Sequence, residues 1–591
     1  MINLIIGHRG TGKTHWLKII ESLKNKDKKA AYFDLDQEIE KEFSSSIQDI
    51  FLKGEDLFRD LEQKVFQKII KNIDAKNDNY ISVGAGFKFK KQKDWNVIFL
   101  TRPTDQAGRL FFNRPFLTDK NPFQESKDLY LERNKYYLEQ CDETFCRLEH
   151  FEKAENFDKV FLGLESYSKD LFCLSLNPNN LPKEDEKLQE YLNKRMSWGI
   201  RFFEIHDSTT HEAFTNQVSK ILPKNKLLFS SYSNRLFCEI PDKIHWSWDL
   251  KLGEPPKGVS ILSLHERGEE DLQSLLKKFS SYKNYHLKLA IEIFDFKELE
   301  MGWQWKQEDP SNRSFLPRSS KGRWRWFRNA FGSENFLHFI REGAASVLDQ
   351  PFFSEAVYFS KTKKNLGAVI GDPIDFSATP SEQSLFFYKS RSIPIFPLLL
   401  KEGELTKENL NIFKKLGFVF FAVTSPLKQE ASFQANVRDE KSTLLKSANT
   451  LIFHDNQWKA YNTDFYAFQS LKKRLKNKSI CVWGGGGVRD PLKEAFPDAD
   501  FYSARTGEVI QGEKNRNYDI LIWAVGRKRM KNCLWPPKNW KVQQIIDLNY
   551  VEDSPGREYA LMSNISYQAG DFIFKEQAKR QREIFLDLEQ Q

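Results

Sequence analysis

Three groups of residues have the types and spacing for chemistry. The first is Gly7-His8-Arg9-Gly10-Thr11-Gly12-Lys13-Thr14, which fits G-x-x-x-x-G-K-[ST]. It follows the apolar run Asn3-Leu4-Ile5-Ile6, a buried parallel strand by type, and precedes a helix-compatible stretch. Glycines at Gly7, Gly10 and Gly12 let backbone N–H groups wrap phosphate oxygens; Lys13 reaches the terminal phosphates and the Thr14 hydroxyl can hold Mg2+. A nucleoside triphosphate is the expected ligand. Asp34 and Asp36 close the next strand, Ala30-Ala31-Tyr32-Phe33. At i and i+2 they are expected on one face, one carboxylate near Mg2+ and the other near a substrate hydroxyl.

The second group is Lys288, inside the apolar strand His286-Leu287-Lys288-Leu289-Ala290, with His265 at the end of the preceding strand. A lysine in a strand is costly unless paired or chemically used. Desolvation is expected to lower its pKa and make it a Schiff-base nucleophile, with His265 placed to move protons. Taken singly, they read more readily as an edge lysine and a satisfied histidine. The third group is Gly484-Gly485-Gly486-Gly487 after the strand Ser479-Ile480-Cys481-Val482-Trp483, which suits a pyrophosphate. About 20 residues on, NAD-specific sites place an acid against the ribose. Here the strand is expected to end Ala504-Arg505-Thr506, and the Arg505 cation favours NADPH.

Alternating strand and helix patterns must position these groups. At 591 residues, and about 150 residues per domain, three or four domains are expected. Hydrophobic residues at 40% and charged residues at 29% exclude a wholly disordered chain. No apolar run approaches the ~18 residues of a membrane span. Six residues run straight into the first glycine motif, so no secretory signal is expected. Six scattered cysteines without C-x-x-C argue against disulfide or zinc frameworks and for a reducing cytoplasm. The net charge of +9 is a mild excess that anionic small substrates explain. Arg323-Trp324-Arg325-Trp326-Phe327-Arg328 is the best nucleic-acid-like patch, but neither a nucleic-acid nor a membrane partner is expected.

Segments 1–160, 168–355 and 365–591 are expected as domains, with a linker near 150–168 and a boundary near 351–366. Strands at Leu171–Leu176, 199–206, 226–232, 244–250, 258–265 and 285–293 suit a (β/α)8 barrel, though rhythm alone leaves a flatter α/β fold open. The fold class is α/β and multidomain.

The order of further motifs carries three resemblances. Gly54-Glu55-Asp56-Leu57-Phe58-Arg59-Asp60-Leu61-Glu62, Ser82-Val83-Gly84-Ala85-Gly86, Arg114-Pro115-Phe116-Leu117 and Arg133 follow Asp34-x-Asp36 as in shikimate kinase, over about residues 1–145. That resemblance implies a P-loop kinase domain. It assigns Asp36, Arg59, Gly84, Gly86 and Arg133 to shikimate, Asp36 also to catalysis with Lys13, Arg114 to the lid over ATP, and Thr14 and Asp34 to Mg2+. Ala85 replaces the family's middle glycine. Arginine suits carboxylates because guanidinium pairs with them bidentately.

Ser263-x-His265 and Lys288-x-Ala290 resemble type I 3-dehydroquinate dehydratase, over about 168–352. The resemblance makes Lys288 and His265 catalytic and gives Glu204, Arg325, Ser346 and Gln350 to dehydroquinate. His206 stands where the family has arginine, Phe229-Ser230-Ser231-Tyr232 lacks another, and Lys251 replaces a glutamate. Gly371-Asp372-Pro373-Ile374-Asp375-Phe376-Ser377-Ala378-Thr379-Pro380, Val423-Thr424-Ser425-Pro426-Leu427-Lys428, Ser447-Ala448-Asn449-Thr450, Asn462-Thr463-Asp464 and the four glycines resemble shikimate dehydrogenase, over about 367–575. Phe376 replaces a histidine of the family pattern and Ala422 an asparagine. This resemblance implies two lobes, a substrate lobe at 365–475 and a Rossmann-like NADP lobe at 476–560, with a C-terminal helix returning to the first. It makes Lys428 and Asp464 the proton-transfer pair, sets Ser377, Thr379, Thr424, Asn449, Asp464, Tyr550 and Gln568 around 3-dehydroshikimate, and gives Gly484, Gly486, Gly487 and Arg505 to NADPH.

The order resembles the last three domains of the fungal arom family. It implies a trifunctional shikimate-pathway enzyme using ATP, Mg2+ and NADPH on small carboxylates, with a homodimer left open. The fungal quinate-pathway repressor family resembles the same three domains, so a regulatory pseudoenzyme is the alternative, as is a fusion with an impaired dehydratase.

Overall fold

In the computed structural model the chain falls into two compact units: Met1–Gly7, Gly12–Arg102 and Tyr136–Thr362 in one, and His8–Thr11, Pro103–Lys135 and Lys363–Gln591 in the other. The structure describes residues 2–8, 11–24, 30–74, 76–92, 94–101, 132–147, 154–167, 169–178, 181–182, 184–207, 212–233, 244–342, 347–359, 365–372, 374, 377, 379–513, 517–526, 533–549 and 554–590.

The first unit holds two parallel sheets. β1 (Ile2–Ile6), β2 (Ala30–Asp34), β3 (Asp78–Ser82), β4 (Trp95–Thr101) and β5 (Glu143–Cys146) pair in the order β2-β3-β1-β4-β5. The apolar runs are continuous rather than alternating because such a sheet is covered on both faces. Leu4, Ile6, Ile81, Val97 and Phe99 are buried against Phe58, Val65 and Phe66 of helix Glu55–Asn72.

The second sheet has eight parallel strands: β6 (Phe172–Ser175), β7 (Ile200–His206), β8 (Leu227–Ser231), β9 (His245–Asp249), β10 (Ile261–Leu264), β11 (His286–Leu289), β12 (Arg313–Phe315) and β13 (His338–Ile340). Their order is β12-β11-β10-β9-β8-β7-β6-β13. Cys173, Phe202, Leu228, Ile261, Ala290, Leu316, Leu337 and Phe339 form one buried cluster drawn from strands all along the sheet, which curls it around a common interior. The edges β12 and β13 share no ladder. Instead, the Asn335 amide accepts from Phe315 N at 3.1 Å and donates to Phe315 O at 3.2 Å, and Ser314 Oγ accepts from Leu337 N at 3.3 Å. The expected barrel is thus a curled sheet whose seam is stitched by side chains, because its edge strands are only three residues long.

Where a linker was expected, residues Ala154–Phe161 form a helix. Trp16 Nε1, from helix Lys13–Lys24, donates to Asp158 at 2.9 Å. Trp16, Phe145, Phe161, Trp198 and Phe353 make a column of rings with centroids 5.1, 4.3, 5.3 and 4.6 Å apart. The two sheets of this unit are therefore packed together rather than strung on a tether.

In the second unit, β14 (Leu366–Gly371), β15 (Ile395–Leu399), β16 (Phe418–Val423), β17 (Val437–Arg438), β18 (Thr450–His454) and β19 (Gln457–Tyr461) pair in the order β15-β14-β16-β18-β19-β17. A second sheet of β20 (Ile480–Gly484), β21 (Asp500–Tyr502), β22 (Val509–Gln511), β23 (Asn517–Ala524), β24 (Lys541–Asp547) and β25 (Ser566–Gln568) has the order β22-β21-β20-β23-β24-β25. Helix Asp571–Gln590 puts Ile573 into the core of the second lobe, and Ile584, Phe585 and Leu588 into that of the first. No helix among the described residues is long and apolar enough to cross a membrane.

Candidate active sites

The glycine loop leads from β1 into helix Lys13–Lys24, with Thr14 in its first turn. Lys13 Nζ donates to Gly7 O at 3.0 Å, so the ammonium is folded over the loop. β2 ends at Asp34, which caps helix Leu35–Phe43 by accepting from Gln37 N at 3.2 Å. Asp36 consequently lies in a helical turn. The expectation that Asp34 and Asp36 share a strand face is corrected: the capping hydrogen bond ends the strand before the second aspartate. Asp34 is buried, and its Oδ2 has no hydrogen-bond partner among the described residues. A buried unpaired carboxylate oxygen at the end of β2 fits a divalent cation.

Asp36 meets Gly84 by another route. A Cβ on Gly84 would lie 3.2 Å from Asp36 Oδ1 and 2.4 Å from Glu62 Oε1, so a larger residue would push on both carboxylates. Arg59 reaches Glu62 at 2.7 Å and Glu55 at 3.0 Å. Glu62 has no exposed surface and belongs to this cluster, although the sequence reading left it unassigned. Gly86 N donates to Tyr137 OH at 3.0 Å. Arg133, on the helical stretch 132–140, is buried. Gly10, Arg114, Ser346 and Tyr550 lie outside the described residues.

At the C-terminal ends of β7 to β11, Lys288 Nζ lies 3.4 Å from Glu204 Oε1 and 3.1 Å from Tyr232 OH, above the Phe339 ring. Glu204 also accepts from Ser230 Oγ at 2.7 Å and contacts His206 Nε2 at 2.7 Å. His265 Nδ1 lies 2.8 Å from Asp249 Oδ2, and its Nε2 lies 3.3 Å from Tyr232 OH. Burial alone would lower the Lys288 pKa, but Tyr232 and Glu204 outweigh it and raise it above the usual lysine range. The expected depression is corrected, since the nearby oxygens favour the ammonium. Burial works against Glu204 too, yet His206 and Lys288 hold its carboxyl well below the ordinary value. Burial pushes the His265 imidazole down to about 4 against the opposing Asp249 hydrogen bond, so the ring is neutral near pH 7.

One residue expected here is engaged elsewhere: Arg325 pairs with Glu355 at 2.5 Å. Gln350 lies in a turn that its backbone N closes on Val347 O at 3.1 Å. Asp249 and Tyr232 are the residues the sequence reading missed. Asp249 supplies His265 with the carboxylate that Lys251 cannot, and both sit at strand ends, where side chains converge.

In the second unit, Lys428 Nζ and Asp464 Oδ2 are 2.6 Å apart. Asp464 is buried and accepts from Asn449 Nδ2 at 2.8 Å and Gln577 Nε2 at 2.5 Å. Asn449 Oδ1 accepts from Thr463 N at 2.8 Å, which ties the end of the first lobe to helix Thr463–Arg474. Thr424 N donates to Ile370 O at 2.9 Å, joining β16 to β14. Thr379 N donates to Ser377 Oγ at 3.2 Å, where helix Thr379–Arg391 begins. Gln568 accepts from Gln544 at 3.4 Å on the edge of the second lobe, whereas Gln577, unassigned from sequence, reaches Asp464.

The glycine turn after β20 has Gly484 at φ +92°, where a Cβ would lie 2.7 Å from Val525 Cγ2. A Cβ on Gly487 would meet nothing within 4 Å, so glycine there leaves room for an incoming group. That cradle fits a pyrophosphate. Arg505 is exposed in the turn between β21 and β22; the strand expected to end at residue 506 ends at Tyr502, because Ser503 closes the turn by accepting from Gly507 N at 2.7 Å.

Comparison with known proteins adds independent findings. The family model described as shikimate kinase matches residues 9–162. The NADP(+) shikimate dehydrogenase of Nitrosopumilus maritimus (strain SCM1) is 33% identical over 134 residues, 22% of this chain and 49% of that protein. The enzyme of the same name from Legionella pneumophila (strain Corby) is 31% identical over 166 residues, 26% of this chain and 61% of that protein. This chain spans about half the length of the curated relatives it matches. A solved structure of shikimate 5-dehydrogenase from Thermus thermophilus, in complex with NADP(H) and shikimate, is 19% identical, with a TM-score of 0.32 over 38% of this chain and 94% of that one.

Proposed function

We propose that this chain is a multifunctional enzyme acting on carbocyclic hydroxy acids: it phosphorylates shikimate with MgATP, reduces 3-dehydroshikimate with NADPH, and dehydrates 3-dehydroquinate through an imine on Lys288. The observation that carries this reading is the Lys428–Asp464 pair at 2.6 Å, its carboxylate buried, in one chain with a P-loop segment matched to shikimate kinases. Shikimate would thus be product of one half and substrate of the other.

In the kinase half, Thr14 and Asp34 would hold Mg2+, and the glycine loop with Lys13 would hold ATP. MgATP supplies the phosphoryl group. Lys13 stabilises charge on that group as it moves, and Asp36 takes the proton of the acceptor hydroxyl. Arg59, already oriented by Glu55 and Glu62, pairs with the substrate carboxylate.

In the dehydrogenase half, Gly484, Gly486, Gly487 and Arg505 would hold NADPH, which supplies a hydride. Lys428 delivers a proton to the developing alkoxide. Asp464 fixes Lys428 and is itself fixed by Asn449 and Gln577, and Ser377, Thr379 and Thr424 complete the pocket.

In the curled sheet, Lys288 is the amine and His265 the proton carrier. A second reading makes this site an impaired catalyst or a ligand sensor, as in a regulatory pseudoenzyme. It is favoured by Lys288 being held by Glu204 and Tyr232, and by Arg325 being paired with Glu355. Purified chain assayed separately with 3-dehydroquinate, with 3-dehydroshikimate plus NADPH, and with shikimate plus MgATP decides. Turnover of the last two alone selects the impaired fusion, and turnover of none selects the sensor.

A further inference from the structure

The hydrogen-bond directions around Tyr232 are determined. The Asp249 carboxylate only accepts, so Nδ1 of His265 carries a hydrogen across the 2.8 Å contact. In the neutral ring Nε2 is then an acceptor, and Tyr232 must donate its hydroxyl hydrogen to it. The Tyr232 oxygen in turn accepts from the Lys288 ammonium at 3.1 Å. The chain therefore runs one way, Lys288 to Tyr232 to His265 to Asp249. Tyr232 is locked in place by His206, stacked on it at 4.9 Å, and His206 contacts Glu204. The other charged group facing the chain is Arg318, which disfavours an imidazolium at His265, while Asp249 favours it.

We propose, on the reading of Lys288 as an imine-forming amine, that Tyr232 is the proton relay that activates it. A proton of the Lys288 ammonium passes to the Tyr232 oxygen as the Tyr232 hydroxyl proton passes to His265 Nε2. The resting site favours the ammonium and the neutral ring, so the positive charge moves to His265, beside Asp249, only as a carbonyl is engaged, and Lys288 then keeps a lone pair. That pair attacks a carbonyl carbon, and one remaining N–H proton moves to the carbonyl oxygen to give a carbinolamine. The proton stored on His265 returns through Tyr232 to the carbinolamine hydroxyl, which leaves as water, and the product is a protonated imine. Glu204 stays ionised throughout and holds the nitrogen over the sheet.

The test needs no knowledge of the natural substrate. Full-length chain is treated with formaldehyde and cyanoborohydride at neutral pH, and methylation of Lys288 is followed by peptide mass spectrometry. Tyr232→Phe is expected to slow Lys288 labelling by about tenfold or more, as loss of a positioned proton acceptor does. Asp249→Asn, which leaves Tyr232 in place, should slow it comparably, and the double variant no further. Labelling of Lys428 serves as the control for folding. Equal or faster labelling in Tyr232→Phe means that the ring merely covers the amine and overturns the relay; additive losses in the double variant do so as well. Borohydride trapping with 3-dehydroquinate reports separately on the proposed function, so a relay effect without that adduct condemns the substrate and not the relay.

Discussion

Arg195 lies 3.2 Å from Glu143, and through this contact the helix Asp185–Ser197 of the curled sheet grips β5 of the P-loop sheet. Lys194 adds a second contact to Glu143 at 2.7 Å, and Arg195 a third to Glu342 at 2.9 Å. Burial would raise the Glu143 pKa, but the two cations hold it below the usual range. Removing one member of a buried ion cluster leaves charge uncompensated and costs about 3–5 kcal/mol. Glu143→Gln is thus expected to lower hydrogen-exchange protection in β1 and β10 together. Loss confined to one sheet would show that the two fold independently.

Lys13→Ala should abolish MgATP-dependent phosphorylation of shikimate, because nothing else described in the loop carries charge to the transferring group. Gly84→Ala should act on the acceptor instead, raising KM for shikimate more than KM for ATP, since the new methyl lies 2.4 Å from Glu62 Oε1. Steady-state kinetics in both substrates separates the two, and an effect of Gly84→Ala on ATP alone would dissolve the Asp36–Glu62 pocket.

Lys428→Ala should depress kcat for 3-dehydroshikimate by about 10²–10⁴-fold with little change in KM, as expected for a proton donor used in the transition state. Gln577→Ala should give a smaller loss, since Asn449 still holds Asp464. A rise in KM without loss of kcat in Lys428→Ala would make the lysine a binding group only.

Arg505→Ala should raise KM for NADPH while leaving NADH unchanged, shifting preference by about ten- to hundredfold if the guanidinium meets the extra phosphate. The side chain is exposed, so the substitution leaves the buried core of that sheet untouched. Identical NADPH kinetics in the two proteins would be evidence against the assignment.

The His265 pKa falls from an ordinary 6.5 to about 4 on folding, because burial disfavours the charged ring. The unfolded chain therefore binds the extra proton first as pH drops. Stability present above pH 6.5 should be lost progressively toward pH 4, by an amount on the order of 3 kcal/mol. Urea unfolding across that window should show a shallower pH slope in His265→Gln; an unchanged slope would mean that His265 titrates normally in the fold.

The sequence spoke most clearly where backbone and chemistry coincide. The Gly7–Thr14 loop, the Lys428–Asp464 pair and the four glycines all sit at strand or helix ends, where a residue's type and its position carry one message. It was silent where a partner comes from distant chain. Glu62 closes the Gly54–Glu62 motif, but its approach to Gly84, 22 residues on, is written in no local pattern. Gln577 and Gln581 do carry a signal, lying four apart on one helix face; Gln581 binds Thr450 at 3.0 Å while Gln577 binds Asp464. β12 and β13 are not legible in the sequence because three residues are too few to show a period. The Lys288 pKa departs from the expected depression because burial is legible in an apolar strand, whereas Tyr232 and Glu204 become its neighbours only in space.

The helix Asp571–Gln590 has a consequence for how the chain is made. Ribosomes deliver residues in order, yet the core begun at β14 is completed by Ile584, Phe585 and Leu588. The whole of β20–β25 must emerge before that apolar face is covered. Nascent chains paused within those strands would carry Val369, Phe387 and Phe420 uncovered, a natural target for chaperones. Of the proposed activities, reduction would then be the last to mature on each new polypeptide.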